Sequence, residues 1–131
     1  MPPPESIIQQ WVRLAEHDLR QAEQTLAETI DPAYEIACFH AQQAAEKYLK
    51  VLLAANNLSV PNTHDLVLIA RQFPRLEAIS AVTLDELAHL TPYAVASRYP
   101  GVDVPETRED AEFALGIARK VREAVRKLLR I

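Results

Sequence analysis

The side chains best equipped for chemistry gather in three stretches of this sequence. In the first, His40, Gln43, Lys47 and Lys50 would fall within about 80 degrees of one another on a helix turning 100 degrees per residue. An imidazole, an amide and two ammonium groups along one strip are suited to meeting a phosphate. The same spacing also suits a solvated face on which Glu46 and Lys50 form an i,i+4 ion pair. In the second stretch, His64 and Asp65 sit where a helix is expected to begin. Unpaired backbone N–H groups there welcome an anion, while Asp65 opposes one or acts as a local cap. The third is Arg98, which opens a loop running to Pro105. Its planar fork can hold a phosphate or carboxylate, or pin the loop to a carboxylate or carbonyl of the bundle.

Other chemistries lack their residues. The two glycines, Gly101 and Gly116, cannot build a phosphate-cradling glycine loop, which excludes Walker and Rossmann sites. Cys38 is the only cysteine, so no disulfide or cysteine metal site is possible within the chain and a reduced setting is expected. Neither an H-E-x-x-H motif nor a nucleophile with a base beside it occurs; Ser97 is the least poor nucleophile, and His17 and His89 stand alone. No metal or cofactor is expected. Neither a basic start followed by an apolar stretch nor a run of about 18 apolar residues is found, so no membrane association is expected and a cytoplasmic location is. The net charge of -4 argues against broad phosphate binding, leaving local patches. Six bases lie between Arg119 and Arg130, and compensation of a helix dipole explains most of them.

The elements that must position these residues read as helices throughout. Half the residues are hydrophobic (49%) but only 6% are aromatic, so the core must be built from Ala, Leu, Val and Ile in closely packed helices. Ile8, Trp11, Ala15, Leu19, Ala22 and Leu26 mark a first helix from Glu5 to Thr29. Asp31 and Pro32 should cap a second, from Pro32 to Asn56, whose apolar residues cover half its circumference. A shorter third is expected from Thr63 to before Pro74. A fourth follows Thr83 and Glu86, a capping box, and runs past a possible kink at Pro92 to near Ser97. A long last helix is capped by Thr107 and Asp110. The expected fold is all-α: one domain over residues 1–131, an antiparallel up-and-down bundle of four main helices plus a short additional helix.

The segment Phe39-His40-Ala41-Gln42-Gln43-Ala44-Ala45-Glu46-Lys47-Tyr48-Leu49-Lys50 resembles the second-helix signature of HEPN domains. Trp11, Ala15, Asp18, Leu19 and Ala22 resemble that family's first helix. Thr63-His64-Asp65-Leu66 resembles its middle motif, and Ser97-Arg98-Tyr99-Pro100 its late loop. The four occur in the right order across residues 8–128. The resemblance implies a bundle that commonly dimerises and is often encoded beside a small nucleotidyltransferase, in pairs that can act as toxin and antitoxin. Many HEPN proteins are metal-independent ribonucleases with an arginine followed, after four to six residues, by a histidine. Here Asp103, Val104 and Pro105 occupy the positions where that histidine would follow Arg98, and no histidine lies beyond His89.

The expected function is therefore a binding module for a nucleotide, an RNA or a nucleotidyltransferase partner, using Arg98, His64, Lys47, His40 and Lys50. The alternatives are a ribonuclease with a rearranged composite site, joining Arg98 to His64 or His40, and a purely structural dimerisation domain. A homodimer is expected in each case, because the helices carry more apolar surface than a small bundle covers. Asp18 and Arg122 lie at or within apolar stripes, where an unpaired charge is costly, so Asp18 should be held by Arg122 or, failing that, by Arg98.

Overall fold

A computed structural model describes residues 3–95 and 99–131. Its helices are α1 (Glu5–Ala27), α2 (Tyr34–Ala55), α3 (Leu66–Arg71), α4 (Leu84–Leu90) and α5 (Arg108–Leu129), with 3-10 turns at Leu76–Ile79 and Thr91–Ala94. Four helices have seven residues or more, the fifth is shorter, and no strand occurs among the described residues. This is the antiparallel helical bundle that the periodicity predicts.

The packing follows from which faces are apolar. Helix α1 buries one stripe, Val12, Ala15, Leu19, Ala22 and Thr25, and α5 buries another that runs from Ala111 to Val125. Helix α2 buries residues around most of its circumference, so it lies between α1 and α5, with α3, α4 and the second 3-10 turn closing its remaining side. Ala15, Ala22, Ala41, Ala44, Ala45, Ala114 and Ala118 are all fully buried. Side chains that small let helix axes approach closely. Trp11, expected on the buried stripe, is 44% exposed. Val12 takes its place, because the buried stripe runs through Val12, Ala15 and Leu19.

The helix ends match the sequence in part. Thr83 with Glu86 and Thr107 with Asp110 form the two reciprocal capping boxes expected. The start of α2 differs: its cap position is Ala33, with no side-chain cap, and Asp31 has φ 47°. An N-cap side chain works from an extended backbone, which a left-handed Asp31 does not offer. The third helix starts later than expected, at Leu66, because Asp65 and not Thr63 is its cap; Asp65 accepts from the N–H groups of Val67 and Leu68. The fourth ends at Leu90 and passes into a 3-10 turn containing Pro92, which lacks the N–H needed to continue an α-helix.

Candidate functional site

Helix α2 carries its polar residues in three groups, each organised by one carboxylate. Asp18, brought from α1, accepts hydrogen bonds from His40 Nδ1 at 2.9 Å and Lys47 Nζ at 2.6 Å. His40 and Lys47 are seven residues apart, two turns on one face, and the antiparallel crossing of α1 sets Asp18 between them. Phe39 meets the His40 ring edge-on, with centroids 5.2 Å apart. All three polar side chains are partly exposed, so the ion pair borders solvent.

One face further round, Glu46 is only 6% exposed. It accepts from His64 Nδ1 at 2.7 Å, Lys50 Nζ at 3.1 Å and Gln42 Nε2 at 3.0 Å. Gln42, fully buried, also donates to the His64 carbonyl at 3.3 Å and accepts from Gln43 Nε2 at 2.7 Å. The loop before α3 is thereby fastened to α2. Because a carboxylate only accepts, His64 Nδ1 carries the hydrogen and Nε2 is left as its second ring nitrogen. The His64 side chain is 66% exposed: an imidazole oriented from behind and open in front. Burial alone would raise the Glu46 carboxyl, but the hydrogen bonds from Gln42, His64 and Lys50 outweigh it and hold the group below its ordinary value.

The third group faces α5. Glu16 accepts from Tyr48 Oη at 2.7 Å, Arg122 Nε at 2.7 Å and Arg126 at 3.2 Å. The arginine expected on Asp18 is therefore on Glu16. Asp18 and Glu16 are two residues apart, about 200 degrees round α1, so Asp18 faces α2's polar edge while Glu16 faces α5. The need for a partner at Asp18 is met by Lys47 and His40. Burial would raise the Glu16 carboxyl too, and its bonds from Tyr48 and Arg122, with the charges of Arg122 and Arg126, carry it below its ordinary value.

These lowered carboxyls fix the sign of an acid response. Glu16 and Glu46 release their protons at lower pH in the folded chain than in the unfolded one, whose reference value is 4.5. The stability they contribute is complete above that value and is lost as pH falls through the folded values. Urea denaturation between pH 6 and pH 3 should show stability falling with acid, and Glu16→Gln should make that fall shallower. Equal slopes for the two proteins would count against the Glu16 cluster.

Of the residues singled out in the sequence, His40, Lys47, Lys50 and His64 are gathered around α2 by two carboxylates. Arg98 and Ser97 lie outside the described residues. Of the two readings open at the start of α3, an anion position or a local cap, the cap is the one found: Asp65 itself accepts from the N–H groups of Val67 and Leu68. Sequence reasoning missed Glu46 as an anchor: on α2 it reads as the surface partner of Lys50, and its link to His64 crosses 18 residues. It missed Gln42 because a glutamine among alanines carries no periodic signal of its own.

A model of the HEPN domain matches residues 8–128. The chain belongs to the HEPN domain family. Two solved structures agree with the assignment. TT1696 from Thermus thermophilus is 28% identical, with a TM-score of 0.74 and coverage of 92% of this chain and 96% of that one. ST0689, an archaeal HEPN homologue, is 26% identical with a TM-score of 0.69 and the same coverage of 92% and 96%. Comparison with curated proteins finds no match. In this HEPN chain no described helix is long and apolar enough to cross a membrane, and no described cluster of three His, Cys, Asp or Glu could hold a metal ion.

Proposed function

We propose that this HEPN domain is a binding module that recognises phosphate groups of a nucleotide or RNA. The observation that carries this reading is the gathering of His40, Lys47, Lys50 and His64 around one helix, with Asp18 and Glu46 holding them from behind. Counting these groups alone, two ammoniums balance two carboxylates, and the two imidazoles add ring N–H donors. Each ammonium keeps N–H groups beyond the one used internally, and basic groups already ordered give up less entropy on meeting a phosphate. Arg98 belongs to the same reading by its guanidinium chemistry and its loop in the sequence. Arg98→Ala should weaken nucleotide or RNA binding with the helical circular-dichroism signal intact; unchanged affinity would remove Arg98 from the site.

The domain works as a homodimer in this reading, and family habit supports a small nucleotidyltransferase as partner, in a toxin–antitoxin pair in the cytoplasm. Tyr99, Val102 and Val104, 70%, 80% and 86% exposed, offer apolar surface that such a contact would cover. Light scattering at micromolar concentrations should give twice the chain mass, and a strictly monomeric mass would rule out the dimer.

A second reading, metal-independent RNA cleavage, is favoured by the His64–Glu46 pair, since an oriented, exposed imidazole has the geometry of a general base. Arginine stays protonated near neutral pH and cannot fill that role. Cleavage of labelled RNA in EDTA, abolished by His64→Ala, would establish the nuclease; intact RNA supports binding alone.

A further inference from the structure

A cavity of about 420 Å³ lies where the start of α1 meets the end of α2. Its walls are Ile7, Trp11, Val51, Val60 and Pro61, with Asn62 and Lys50 supplying the polar atoms. Its size is that of a small-molecule site, and apolar walls with a few polar groups are the usual make-up of one. The large side chains around it are not packed away: Ile7, Trp11 and Val60 are 39%, 44% and 42% exposed. Exposed apolar groups lining a concavity gain from any apolar body that displaces water.

Lys50 is the one charged residue among those lining the cavity. Its ammonium does not swing loosely, because Glu46 Oε2 holds it at 3.1 Å and Glu46 is itself fixed by Gln42 and His64. A positioned cation beside an apolar hollow selects an anion with an apolar body. Since Lys50 shares its charge with Glu46, the position suits a single negative charge better than the double charge of a phosphate monoester.

We propose that this cavity binds a small amphipathic monoanion, its apolar body against Trp11 and its carboxylate on Lys50. This shares Lys50 with the phosphate reading but none of His40, Lys47 and His64, which lie outside the cavity's lining.

Trp11 is the only tryptophan in the chain, so its emission reports on this wall alone. The alkanoates from pentanoate to nonanoate, titrated into the full chain, should change that emission, with calorimetric affinity rising about fourfold per added methylene until the cavity is filled. Lys50→Met should weaken octanoate binding about tenfold and leave octanol binding unchanged, with circular dichroism showing the fold intact. Unaltered Trp11 emission, affinity independent of chain length, or equal octanoate affinity in Lys50→Met would each overturn the proposal. So would adenosine monophosphate changing the emission where octanoate does not, since that would make the ligand a phosphate.

Discussion

Glu46→Ala should cost about 3 kcal/mol of folding stability and lower the melting temperature by roughly 10 °C. The carboxylate is 6% exposed and satisfies donors from three residues, Gln42, His64 and Lys50. Its removal leaves the buried Gln42 amide without its main acceptor and a gap the size of the lost carboxymethyl group beneath the loop that precedes α3. Glu46→Gln keeps the volume and one acceptor oxygen, so it should cost about 1 kcal/mol. Lys50 borders solvent and can recover hydration, which is why the loss stays below that of a fully buried ion pair. Urea melts of the three proteins decide the matter; an alanine variant within about 0.5 kcal/mol of wild type, the range of ordinary surface changes, would show that Glu46 does not organise this face.

Tyr48→Ala should be worse still, at about 4 kcal/mol, and Tyr48→Phe should cost about 1 kcal/mol. The ring is fully buried in the middle of α2, where α1 and α5 meet it, and its hydroxyl donates to Glu16 at 2.7 Å. The alanine variant opens a ring-sized cavity and removes one of the groups that fix Glu16 between two arginines. The phenylalanine variant keeps the packing and loses only the hydroxyl, and Arg122 and Arg126 still hold Glu16. The burial that opposes ionisation also raises the Tyr48 hydroxyl above its ordinary value, so it stays a donor throughout the physiological range. Similar losses for both variants would assign the stability to the hydrogen bond rather than to the ring.

The parts of the fold legible in the sequence are those governed by local rules. Thr83 with Glu86 and Thr107 with Asp110 announce their helices because a capping box lies within four residues. The stripe on α5 is visible because one face of it meets the core. The beginning of α2 was not legible, since Asp31 and Pro32 spell a cap that the left-handed backbone at Asp31 prevents. Trp11 misled for a different reason: Trp11 and Val12 are neighbours in sequence, and periodicity alone does not say which of them turns inward. The site was half legible. Helical spacing put His40, Lys47 and Lys50 on one strip and paired Lys50 with Glu46, but Asp18 holds His40 and Lys47 from 22 and 29 positions away, and Glu46 holds His64 from 18. Pairings at such distances depend on how helices cross. The same limit explains Arg122, whose need for a partner was readable while the identity of that partner, Glu16, was not.

The most direct test of phosphate recognition at the α2 face is the salt dependence of RNA binding, measured by fluorescence anisotropy of a labelled single-stranded oligonucleotide. Lys47 sits beside His40 on Asp18, borders solvent and adds little to the core. The wild-type chain should bind with an affinity that falls linearly in log–log terms as salt rises. Lys47→Ala should bind more weakly across all sequences, with the slope reduced by about 0.7, the value for one lost contact to a single strand. Absence of binding by the wild type, or an identical affinity and slope in a Lys47→Ala protein of unchanged helical content, would contradict phosphate recognition at this face.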